Sequence, residues 1–177
     1  MSNRSIESSD HLAAISDVEL RAAFRHRFSL KCGSIIDCSE DAAEEFVALL
    51  LDQGRERFAG LFLNGRNQMI SSQIVSEGTL TTASIYPREL VRTALELNAS
   101  AVIVGHNHPS GSLIPSALDQ QVTCKLLMAC ESVDILFQDH IIIAGDGWYS
   151  FADHGGLALC RTSWTTGLSM APEPSRM

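Results

Sequence analysis

The stretch that most constrains the fold is Ala101-Val102-Ile103-Val104, a short continuously apolar run that ends in Gly105-His106-Asn107-His108. Without polar alternation, such a run suits a central strand covered on both faces, so the chain must build a layer on either side of it. In extended backbone, side chains two apart point the same way, which sets His106 and His108 side by side at the strand end. Pro109 and Gly111 then turn the chain, and a helix is expected over roughly Ser116 to Glu131. Asp119 lies in the first turn of that helix and can face back toward the two imidazoles. Two neutral imidazoles and one carboxylate leave a fourth tetrahedral position for water, the pattern of a catalytic zinc rather than a structural one. Calcium or magnesium would want more oxygen ligands. Each fragment alone has an ordinary meaning: a loop histidine pair, a turn, and a Ser116-x-x-Asp119 helix cap. Their conjunction at one strand end makes His106, His108 and Asp119 the expected metal ligands.

The other segments supply the layers. Residues 1–38 read as a loose polar arm with a short helix around Asp17 to Arg27, followed by an ambiguous piece from Lys31 to Cys38. Ser39-Glu40-Asp41 marks a helix start, with acids in the first turn, leading into Ala42 to Leu51. Arg57 to Leu63 suits a buried strand, Asn64-Gly65 a turn lengthened by Arg66 and Asn67, and Met69 to Val75 the returning strand. Pro87 opens a helix whose apolar face is Leu90, Val91, Ala94, Leu95 and Leu97. Leu118, Val122, Leu126, Ala129 and Val133 are the expected inward stripe of the helix after the histidines. Ile135 to Ala144 and Trp148 to Phe151 read as strands joined at Gly145-Asp146-Gly147. The expectation is one domain over 39–156, a flexible tail over 157–177, and an α/β or α+β layered fold.

A chain of 177 residues, 45% hydrophobic, has enough apolar material for one such domain and too little for two. A formal charge of -8 disfavours a phosphate-tracking surface, and no run of Lys and Arg stands out. The five cysteines include no Cys-x-x-Cys pair and read as buried or idle thiols of a reducing compartment. Met1 to Asp10 lacks the apolar segment of a signal peptide, and no run approaches the roughly 20 residues of a membrane span. A soluble cytoplasmic protein without a membrane partner is expected.

Metal-assisted hydrolysis also needs a group that takes and delivers a proton. Glu44, Glu45, Glu56, Glu77 and Glu89 are candidates, and sequence pattern alone does not choose among them.

His106-x-His108, seven intervening residues, then Ser116-x-x-Asp119 resembles the JAMM signature of MPN/JAB-domain metalloproteases. His-Asn-His-Pro-Ser-Gly, with Tyr86-Pro87-Arg88-Glu89 upstream and Asp139-His140-Ile141-Ile142 downstream, resembles the RadC-like branch over roughly Glu56 to Gly156. The resemblance implies an MPN/JAB-like, cytidine-deaminase-like mixed sheet flanked by helices. It also implies a zinc metallopeptidase or isopeptidase in which zinc-bound water attacks an amide carbonyl of a protein or peptide substrate. His106, His108 and Asp119 would hold Zn2+, and Ser116 would donate to the oxyanion. Arg55-Glu56-Arg57-Phe58 running into Leu63-Asn64 is similar to the family's stretch around the catalytic glutamate, which makes Glu56 the base and Glu45 the runner-up. Asp139 and His140 read as a satisfied polar pair at a strand start, ahead of a role in orienting a ligand imidazole. No helix-hairpin-helix segment of the kind RadC-like chains often carry is legible before Cys38. A RadC-type DNA-repair or recombination accessory with a structural or vestigial metal site is the alternative, and an inert MPN scaffold a third reading.

Overall fold

The computed structural model describes residues 32–50, 54–77, 85–145 and 147–169. Among these, five strands form one mixed sheet in the order β2-β1-β3-β4-β5. The strands are β1 (Arg57–Leu63), β2 (Met69–Glu77), β3 (Ala101–Asn107), β4 (Leu136–Ala144) and β5 (Gly147–Ser150). Only β3 and β4 run parallel; the other neighbouring pairs are antiparallel. The helices are α1 (Ser39–Leu49), α2 (Pro87–Glu96), α3 (Ala117–Glu131) and α4 (Gly156–Ser169). The architecture is α+β, as the order of segments implied.

β3 is central and buried along its whole length. Ala101 and Ile103 join Ala59, Leu61 and Ile141 against Ala42, Ala43 and Phe46 of α1. Val102 and Val104 point the other way, into a core with Leu90 and Ala94 of α2, Leu126 and Leu127 of α3, and Leu157 of α4. Alternation along an extended strand therefore feeds two separate apolar layers. At Gly105 the backbone passes so close to α1 that a Cβ there would lie 2.7 Å from the Phe46 ring. Glycine is the residue that admits this approach.

The β1–β2 connection follows turn chemistry. Asn64 Oδ1 accepts from the backbone N–H of Arg66 and Gln68 at 2.9 and 3.0 Å, and Asn67 takes a positive φ of 57°. Asn tolerates both roles better than most residues.

β4 departs from regular alternation. Val102 pairs with Phe137, but Ile103 pairs with Asp139, so Gln138 is an extra residue in β4. This bulge turns His140 onto the face that Phe137 occupies, with Val104 and His106.

Four expectations are corrected. The boundary at 38 lies too late: Gly33 N–H donates to Met69 O, Met69 N–H donates to Ser34 O, and Ile36 is core. Residues 157–177 do not form a tail throughout, because α4 runs to Ser169 and buries Leu157 and Cys160 against α3. Cys124 and Cys160 are not idle thiols but form a disulfide joining α3 to α4. The inward stripe of α3 is Asp119, Thr123, Leu126, Leu127 and Cys130, whereas Val133 is exposed. The polar pair Asp119 and Thr123 sets that face, a choice an apolar-only pattern misses. The helix expected at Asp17 to Arg27 lies outside the described residues.

Candidate metal centre

β3 delivers His106 and His108 to one point, with Nε2 atoms 2.8 Å apart. His106 is fully buried, and His108 sits at the mouth of the site. α3 supplies the carboxylate from its first turn. Ser116 Oγ accepts from Asp119 N–H at 3.1 Å, while Asp119 Oδ2 accepts from Ser116 N–H at 2.7 Å. This reciprocal cap holds the carboxylate toward the strand end. Asp119 Oδ1 lies 3.3 Å from His106 Nε2, and Oδ2 lies 3.4 Å from His108 Nε2. Both spacings exceed those of a charge-assisted hydrogen bond, roughly 2.7–2.9 Å. Oδ1 is buried and receives no hydrogen bond.

Glu56 enters from the segment before β1. Its carboxylate and the two imidazoles offer ligand atoms within 4.8 Å of one another, a group able to hold a metal ion. Asn107, between the two histidines, points to the opposite face and fastens that segment. Its side-chain carbonyl accepts from Arg57 N–H at 2.8 Å, and its NH2 donates to Arg55 O at 2.9 Å. The backbone is thus held on both sides of Glu56.

The proton positions follow from the distances. Thr123 Oγ1 donates to Asp119 O at 2.6 Å, since two oxygens that close must share a hydrogen and the carbonyl has none. That hydroxyl must then accept from His140 Nδ1–H, also at 2.6 Å. His140 is fully buried between the rings of Phe58 and Phe151. Its two ring nitrogens meet an imidazole and a hydroxyl and no carboxylate, so a charge buried there would be unpaired and the ring is neutral. Burial, with the neighbouring His106, lowers its pKa in the same sense. Its Nε2 therefore carries a lone pair and accepts from His106 Nδ1–H at 2.8 Å. His108 Nδ1–H donates to Ser112 O at 2.7 Å. Both outward Nε2 atoms are left as lone pairs facing each other.

Such a pair repels unless a cation sits between or beside it. The Asp119 carboxylate beside it raises the His108 pKa, the direction in which a neighbouring negative charge favours positive charge at this point. Burial pushes the Asp119 carboxyl upward, yet His106, His108 and Ser116 outweigh it and keep the group well below the usual carboxylate range. Two lone pairs, an orphaned carboxylate oxygen and a neighbouring glutamate make a donor set that fits a divalent metal ion.

The other sequence candidates fall elsewhere. Glu44 is exposed, and Glu45 is buried on α1, in the layer across the sheet. Glu77 pairs with Arg57, and Glu89 pairs with Arg88 and Arg92. Asp139 and His140, adjacent in sequence, part company. Asp139 accepts from Ser150 Oγ–H and from the N–H groups of His140 and Ala152, which fixes the β5 corner. His140 turns to His106 instead, so the orienting contact exists and the simple polar-pair reading is corrected. Thr123 went unnoticed in the sequence; its one signal is the i+4 spacing from Asp119.

Fold and site together define an α+β domain whose mixed sheet carries a cluster of residues able to hold a metal ion. The RadC-like JAB domain model matches residues 36–157, and the chain belongs to that family. A UPF0758 protein of Janthinobacterium sp. (strain Marseille) is 45% identical over 120 residues, covering 67% of this chain and 54% of that protein. The UPF0758 protein YfjY of Escherichia coli (strain K12) is 42% identical over 118 residues, 66% of this chain and 74% of that one. A UPF0758 protein of Chlorobaculum parvum is 36% identical over 143 residues, 81% of this chain and 63% of that one. The chain thus spans little more than half of the first of these relatives. Among the described residues, no helix is long and apolar enough to cross a membrane.

Proposed function

We propose that this chain is a zinc-dependent hydrolase of peptide or isopeptide bonds, with zinc held by His106, His108 and Asp119. The observation that carries the reading is the convergence of two imidazole Nε2 atoms on a buried carboxylate oxygen that lacks a donor. Tetrahedral zinc with bonds of about 2.0–2.2 Å sets its ligand atoms roughly 3.3 Å apart. The Asp119–imidazole spacings of 3.3 and 3.4 Å suit that size, and the imidazole pair is tighter. When bound, zinc lowers the pKa of water and polarises a carbonyl.

The chain's own residues do the rest. Glu56 is half-buried, unlike the fully buried Asp119, and its carboxylate lies beside the two imidazoles. It takes a proton from the attacking water and passes it to the leaving nitrogen. Ser116 Oγ accepts from Asp119 N–H, which leaves its own hydroxyl hydrogen to donate to the substrate oxyanion. Beside His108 a cavity of about 140 Å³, lined by Val47, Leu50, Pro109, Ile143 and Ala144, suits a small apolar side chain of a peptide substrate. A charge of -8 gives the nucleic-acid reading no support.

The test pairs two variants. His108→Ala is expected to abolish stoichiometric zinc. Glu56→Gln is expected to retain zinc while peptide hydrolysis falls by roughly 10²- to 10⁴-fold. Parental hydrolysis by both variants would overturn the mechanism.

A further inference from the structure

We infer that Thr123 and His140 are positioning residues that lock the imidazole proton of His106 on Nδ1 and thereby present its Nε2 as a lone pair to the metal. The inference rests on the zinc reading above and extends it to two residues that touch neither metal nor substrate.

The geometry is a one-way chain. The Asp119 carbonyl only accepts, so the Thr123 hydroxyl donates to it and has no second hydrogen to give. His140 must donate from Nδ1 and accept at Nε2. His106 must then donate from Nδ1. Reversing any one of these bonds leaves two donors or two acceptors face to face inside the core, at a cost that buried polar groups do not tolerate. The chain begins and ends on the same ligand pair, because Asp119 anchors it through its main-chain carbonyl and its carboxylate Oδ1 lies 3.3 Å from His106 Nε2.

His140 reaches this position only because the Gln138 bulge places it on the His106 face of β4. Its ring lies 5.0 Å from Phe151 at an interplanar angle of 9°, and 5.4 Å from Phe58 edge-on, so it cannot swing to another partner. Thr123 is held likewise, fully buried on α3. Ligand histidines generally need such an outer partner, and removing one lowers metal affinity about 10- to 100-fold.

The experiment measures zinc(II) affinity by chelator competition in the parent, Thr123→Val and Thr123→Ser, with melting of each metal-free protein as a control. Valine keeps the shape of threonine and removes the acceptor; serine keeps the acceptor. Expected is zinc binding roughly 10- to 100-fold weaker in Thr123→Val and near-parental binding in Thr123→Ser, both still folded. Nitrogen-15 NMR of the metal-free parent, in mildly alkaline buffer, is expected to show Nδ1–H and an unprotonated Nε2 on both His106 and His140. That spectrum decides the matter should Thr123→Val not fold. Tight zinc in the parent with equal affinity in Thr123→Val overturns the relay and spares the zinc site. An Nε2–H on His106 overturns it directly. A parent that binds no zinc overturns both readings.

Discussion

The two faces of β3 hold the same strand by different means. On the α1 face the strand ends in Gly105 pressed under the Phe46 ring, within a layer of Ala, Ile and Leu. On the α2–α4 face it ends in His106, inside a chain of polar groups embedded among Phe58, Phe151 and Leu157. The first face sets where the strand end lies. The second sets the electronic state of what it carries. Dispersion and apolar burial are non-directional and suffice for position. A lone pair aimed at a metal needs donors and acceptors in a definite order.

The comparison breaks most sharply at Asp119. Asp119→Ala removes one proposed ligand together with the carboxylate that faces both imidazoles, so zinc affinity should fall by more than about 100-fold, beyond the effect of an outer-partner loss. Isothermal titration with zinc(II) measures it, and parental affinity would remove Asp119 from the ligand set.

Asn107 tests the traffic between the faces, since it points toward α1 while holding the backbone around Glu56. Asn107→Ala should lower kcat roughly 10- to 100-fold through misplacement of Glu56, with zinc content unchanged. Loss of zinc together with activity would show instead that the whole strand end had moved.

Gly105→Ala strikes the apolar face alone. The added methyl must displace the Phe46 ring, at a cost of about 1–3 kcal/mol. Thermal melting should record a lower Tm, whereas zinc stoichiometry of the folded fraction should persist. An unchanged Tm would mean that α1 gives way without cost.

The smallest expected effect is on acid stability. The folded-state pKa of Asp119 is lowered, so its contribution is complete above the ordinary Asp value of about 3.9 and is lost as pH falls toward the folded value. Metal-free Asp119→Asn should therefore lose less stability than the parent between about pH 5 and pH 2, as urea midpoints would show. Parallel losses in the two proteins would place the acid sensitivity elsewhere.

Much of this was legible in the chain. Arg57 to Leu63 read as a buried strand and is β1, and Pro87 opens α2 as its fixed φ allows. The capping residue of α3 and the acid three positions later were both visible, because capping is local chemistry written in four consecutive residues. The same-side placement of His106 and His108 followed from the two-residue period of extended chain. Less was legible where a long-range partner chooses the outcome. The α3 stripe was expected one step around the helix because apolar residues alone were counted, while Asp119 and Thr123 face inward for their partners.

What the sequence by itself determined is the donor set at one strand end, since strand period and helix cap act over a few bonds. Only the tertiary structure decided which way the protons point. The Gln138 bulge that aims His140, the Thr123 hydroxyl that orders it, and the Asn107 amide that fastens Glu56 join residues 17 to 52 positions apart. No local pattern encodes such pairings, because their energy exists only once the surrounding core has excluded water and made every buried donor find its acceptor.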